Sequence, residues 1–139
     1  MDQRAVFIVY DKSKTFKKTY YVIFEIAKRG SESDGSIFSG YGESGRFYPG
    51  NWHQLNGFHG LLRIVRQGNR ISTFYKKENR QKWVKLNTFS STTANLTAGF
   101  MLVNFYSSRG ASITAKSTVK ATFDNFKINA VQLIVEEDI

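Results

Sequence analysis

The stretch Leu61 to Phe89 reads LLRIVRQ, GN, RISTFYKK, ENRQ, KWVKLNTF, and its punctuation decides the fold class. Three β-branched and aromatic runs are separated by two turn signals, the pattern of an antiparallel meander. Gly68-Asn69 suits a two-residue primed turn, because both positions tolerate positive φ. Such a turn sets the register, with Arg66 opposite Ile71, Ile64 opposite Thr73 and Leu62 opposite Tyr75. One face then takes most of the apolar weight, as a half-buried sheet requires.

The same signals extend outward in both directions. Upstream, Arg4 to Tyr10 (RAVFIVY) and Thr19 to Ala27 (TYYVIFEIA) read as strands, Lys28 to Gly35 as a polar loop, and Ser36 to Ser39 as a short strand. Downstream, Leu96 to Tyr106 (LTAGFMLVNFY) is a nearly continuous apolar run, expected to be a central strand. Ser107 to Thr118 reads as a loop holding a short strand. Lys120 to Asn129 (KATFDNFKIN) alternates cleanly, and Val131 to Val135 precedes the acidic Glu136-Glu137-Asp138. The expectation is about nine strands and no helix, in one all-β domain over residues 1–139.

Composition narrows the chemistry. Cysteine is absent, which removes disulfides, thiolate zinc sites and cysteine nucleophiles together. Apolar runs are far shorter than the roughly 20 residues that span a bilayer, and Met1-Asp2-Gln3-Arg4 carries no signal-peptide pattern, so a soluble chain is expected. The net charge of +9 raises the odds of an anionic partner.

Three features resemble the concanavalin A-like lectin/glucanase superfamily, in particular its bacterial domains without an active site. They are the LLRIVRQGNRISTFYKK hairpin, Trp83 after the next turn, and the ATFDNFKIN strand following the Gly-containing LTAGFML run. Together they cover Leu61 to Asn129, about half the chain. In the turn before the Trp, where the family commonly has Asp and Gly, this chain has Glu78-Asn79-Arg80-Gln81. The resemblance implies an antiparallel two-sheet sandwich of jelly-roll type. It also implies glycan binding or packing against a neighbouring catalytic domain, an extracellular or cell-surface setting, and a core position for Trp83.

Gly40 to Gly60 (GYGESGRFYPGNWHQLNGFHG) holds six glycines, five aromatics, the only Pro and both His. It has no period of 2 or 3.6, and so reads as a long loop. Sugar recognition needs flat aromatic faces with amides and acids around them. Tyr48, Asn51, Trp52, His53, Gln54, Asn56 and Glu43 supply that set. The competing reading tucks Phe47, Trp52 and Phe58 inward as the loop's own small core.

A second candidate is cationic. Arg63, Arg66, Arg70, Lys76, Lys77, Arg80, Lys82 and Lys85 lie in the meander with Glu78 as the only acid. They read either as an anionic-ligand patch or as solvated sheet surface with edge protection by Lys. No paired-carboxylate run suits glycoside hydrolysis, and His53 and His59 lack triad partners, so no catalytic residues are expected. Glu25, if buried, needs a partner such as Arg63 or a Lys. No cofactor is expected. Calcium has no spaced acidic loop to hold it, and Asp124, Asn125, Asp34 and Glu32 read as turn or strand-end residues. Asn95-Leu96-Thr97 matches a glycosylation acceptor.

The expected function is a non-catalytic carbohydrate-binding or accessory module with a glycan or polysaccharide partner. The alternative is a structural or protein-interaction sandwich, followed by a glycoside hydrolase with an unfamiliar site. Nucleic acid ranks last among partners.

Overall fold

A computed structural model describes residues 2–15, 17–29, 35–54 and 60–105. The strands expected between 107 and 135, and Glu32, Asp34, Asn56, Phe58, His59, Asp124 and Asn125, lie outside them. Eight strands occur among the described residues: β1 (Asp2–Tyr10), β2 (Tyr21–Arg29), β3 (Ser36–Glu43), β4 (Arg46–Gln54), β5 (Gly60–Gln67), β6 (Arg70–Lys77), β7 (Val84–Ser90) and β8 (Thr97–Phe105). They form two antiparallel sheets, β4-β3-β2-β1-β8 and β5-β6-β7, with no helix among the described residues. None of that region is therefore a helix long and apolar enough to cross a membrane.

The meander has the expected register, pairing Arg66 with Ile71, Ile64 with Thr73 and Leu62 with Tyr75. In its Gly68-Asn69 turn, Gly68 takes a φ of 58°, as the first central residue of a type II′ turn does. Because alternate residues of β6 face one way, Ile71, Thr73 and Tyr75 are all buried against the larger sheet.

Two apolar clusters join the sheets. Phe24 and Ile37 from the larger sheet meet Tyr75 and Leu86 from the smaller, with Ile26, Leu62 and Ile64 around them. Tyr20 and Val22 meet Ile71 in the second cluster. Fully burying a side chain such as Phe24, Ile37 or Ile71 contributes about 1.5–3 kcal/mol. Val6, Glu25, Ala27 and Phe38 lie on the opposite face of the larger sheet and are buried as well. Glu25, only 1% exposed, pairs with Arg4 on the neighbouring strand at 3.6 Å rather than with Arg63.

Three expectations need correction. Within the stretch expected to be a long loop, Gly40 to Gln54 is instead a hairpin of β3 and β4, closed by Ser44 (φ 53°) and Gly45 (φ 81°). Two successive positive φ values make a type I′ turn, whose twist suits a hairpin. Next, β8 is not central among the described strands; it pairs with β1 and ends the order. A continuous apolar run reports apolar faces, and carries no count of hydrogen-bonded neighbours. Finally, Trp83 is half-buried rather than a core residue. Val84 pairs with Tyr75, which turns the preceding Trp83 toward the solvent side beside Lys76.

Hydrogen bonds fix the β1–β2 connection. Asp11 Oδ1 accepts from the Ser13 amide (3.0 Å) and hydroxyl (2.6 Å), which hold its carboxyl below the ordinary value. Tyr20 donates its hydroxyl to the Ser90 carbonyl at 2.6 Å, while burial pushes its phenol up to about 12. A folded-state value above the ordinary 10.0 favours the neutral phenol. The resulting stability is complete below pH 10 and disappears as pH rises toward 12. Denaturant melts across that window should show wild-type stability falling, with a flatter profile for Tyr20→Phe; equal slopes would refute the assignment.

Candidate functional site

Glycines in β3 shape the outer surface of the larger sheet. A Cβ on Gly42 would run into the Tyr21 ring, and one on Gly40 would stand 2.6 Å from Phe47 Cζ. Without those atoms, both rings can lie down over the sheet, an arrangement that shields strand glycines. The Tyr21 and Phe47 rings are 6.4 Å apart and within 12° of parallel. Phe38 tilts against Phe47 at 6.2 Å.

Along β4, Phe47, Pro49, Trp52 and Gln54 point to this outer side, as their partners Gly42, Gly40, Phe38 and Ser36 do. Phe47 is 42% and Trp52 61% exposed. The two rings are five positions apart on a strand shortened by a bulge, so at about 3.3 Å per residue they stand roughly 15 Å apart.

Simple alternation from Pro49 would turn Trp52 inward. A bulge prevents this: the pairing shifts between Phe38 and Gly40, leaving Gly50 and Asn51 across from Ser39. Asn87 of β7 holds the bulge. Its Oδ1 accepts the Asn51 amide at 2.8 Å, and its Nδ2 lies 2.5 Å from Ser39 Oγ and 3.3 Å from the Asn51 carbonyl. Asn51 Nδ2 donates to the Leu86 carbonyl at 3.2 Å, and Ser39 shares a 2.8 Å hydrogen bond with Thr73.

The residues proposed from sequence are thereby divided between two faces. Trp52 and Gln54 face outward. Tyr48, Asn51 and His53 face the smaller sheet: Tyr48 stacks on Tyr41 at 4.7 Å, and His53 Nδ1 is 3.2 Å from the Tyr75 hydroxyl. Glu43 is exposed beside the β3–β4 turn, paired in register with Arg46. Phe47 belongs to the outer row and not to a loop core. Tyr21 and Phe47 were missed as site residues. Their signal was the alternate-glycine pattern Gly40-Tyr41-Gly42, which marks floor space for rings on neighbouring strands.

The cationic set also divides. Arg63, Lys76 and Lys85 stand on the outer face of β5-β6-β7, around Trp83 and Phe74. Arg70 and Lys77 are exposed at the ends of β6, and Arg80 and Lys82 in the next turn. Arg66 turns away from this face, donating Nη1 to the Ala94 carbonyl at 2.6 Å and Nη2 to that of Thr92. Among the described residues, no three His, Asp or Glu side chains gather as a metal cluster would. No protein-family model, curated protein or solved structure matches the chain.

Proposed function

We propose that this chain is a non-catalytic glycan-binding module, built as a jelly roll of the concanavalin A-like kind, and that it binds along the outer edge of β4. The observation that carries this reading is the pair of exposed rings on β4, Phe47 lying over the bare Gly40 and Trp52 beyond the bulge. Such faces suit the C–H side of a pyranose, and the exposed Gln54 amide can bond hydroxyls. Two open rings roughly 15 Å apart on one strand suit an extended saccharide rather than a single sugar.

Calorimetry with neutral oligosaccharides of increasing length should show affinity rising with chain length. Trp52→Ala and Phe47→Ala should each weaken binding about tenfold, on the scale of one lost ring contact. Tyr48→Ala, on the other face, should not weaken it. Unchanged affinity in both outer-face variants would refute the site.

One observation favours a protein-interaction module instead: along β8, Phe100 and Leu102 on one face and Met101 on the other are each at least 40% exposed. Exposed apolar patches of this kind commonly mark protein interfaces. Failure of every neutral glycan to bind would shift the reading there.

A further inference from the structure

We propose that the outer face of β5-β6-β7 is a second binding site, separate from the aromatic row, for an acidic polysaccharide bearing carboxylate or sulfate groups. Arg63 of β5, Phe74 of β6 and Lys85 of β7 form one cross-strand row, and Lys76 lies one step along the same face. With strands about 4.8 Å apart, Arg63 and Lys85 flank Phe74 across roughly 10 Å, so the cations form a strip and not a point. Arg70, Lys77, Arg80 and Lys82 are exposed around it. Among the described residues, none of these cations sits in an ion pair.

The aromatic residues discriminate between polyanions. Arg63 lies 5.7 Å and Lys76 5.5 Å from the Trp83 ring centroid, and Lys85 lies 5.6 Å from that of Phe74. The two rings therefore anchor cations. A single-stranded nucleic acid needs open rings on which its bases stack, and a duplex read in its groove needs an element that enters it. This sheet face, with its rings already holding cations, offers charge to a ligand that carries charge without bases.

Trp83 also supplies the readout. The chain has two Trp, so in Trp52→Phe the only indole is the one beneath Arg63 and Lys76. An anion that draws those cations off the ring will change its fluorescence. Titration of full-length Trp52→Phe with polygalacturonate or dextran sulfate should give a saturable change, and neutral dextran none. If three charges are contacted, affinity should fall about 20- to 40-fold between 50 and 200 mM salt, and Arg63→Gln/Lys76→Gln/Lys85→Gln should remove most of that salt dependence. Lys14→Gln/Lys17→Gln/Lys18→Gln removes equal charge from the exposed β1–β2 connection and should leave binding close to that of the parent. Thermal melts of both triple variants check that each is folded.

Equal loss in the two triple variants would overturn the site in favour of net charge alone. An undiminished affinity in the first, or oligothymidylate binding as tightly as polygalacturonate, would also overturn it. Neutral oligosaccharide binding to the wild type reports on β4 alone, so either site can fail without the other.

Discussion

Phe24→Ala should lower the stability of this protein by about 3–5 kcal/mol. Phe24 is fully buried, at the meeting point of Ile37 in its own sheet and Tyr75 and Leu86 in the facing one. Removing the ring forfeits its transfer free energy and leaves a cavity whose walls are backbone-anchored strands on both sides, which limits collapse. For a domain with roughly 5–15 kcal/mol in total, that is a large fraction. The melting temperature should drop by roughly 10–20 °C. Denaturant unfolding should give a lower midpoint with an unchanged slope. Phe100→Ala is the comparison. That ring is 40% exposed and stacks on Phe7 at 5.2 Å, so about 1 kcal/mol is expected. Similar losses at both positions would contradict the placement of the core between the sheets.

The sequence made the meander legible because two independent signals agreed there. Alternation chose the buried face, and Gly68-Asn69 fixed the turn length, so the pairing of Ile64 with Thr73 followed without reference to any other part of the chain. In the β3–β4 hairpin the same signals conflict. Gly40 and Gly42 leave blanks on the face where apolar side chains would mark a strand, because Phe47 and Tyr21 fill that space from neighbouring strands. The Gly50-Asn51 bulge then breaks the period midway, so no single alternation describes β4. Ser44-Gly45 was a usable turn signal, but its flanks did not read as strands. Trp83 and Arg66 failed differently. Their orientations depend on Val84 meeting Tyr75 and on the carbonyls of Thr92 and Ala94, which are contacts between segments. Composition correctly gathered the cations into one meander, but could not distinguish the face holding Arg63 from the one holding Arg66.

Asn87→Ala should destabilise the protein by about 2–3 kcal/mol and, unlike Phe24→Ala, should also impair the proposed glycan platform. The side chain is buried between the sheets, and truncation leaves the Asn51 amide and carbonyl without the group that holds them. Ser39 keeps its bond to Thr73, so part of the network survives and the loss stays below that of a complete core deletion. The larger consequence is geometric. Loss of the bulge would shift the far end of β4 by one residue, turning Trp52 toward the smaller sheet and His53 outward. In an Asn87→Ala/Trp83→Phe background, Trp52 is the sole indole and reports that change through its emission. Asn87→Asp retains an acceptor for the Asn51 amide but loses the donor to Ser39, and should fall between wild type and Asn87→Ala in both stability and oligosaccharide affinity. If Asn87→Ala lost stability while Trp52 emission and glycan affinity remained those of the wild type, the bulge would hold without Asn87, and the orientation of Trp52 would have to come from β3–β4 pairing alone.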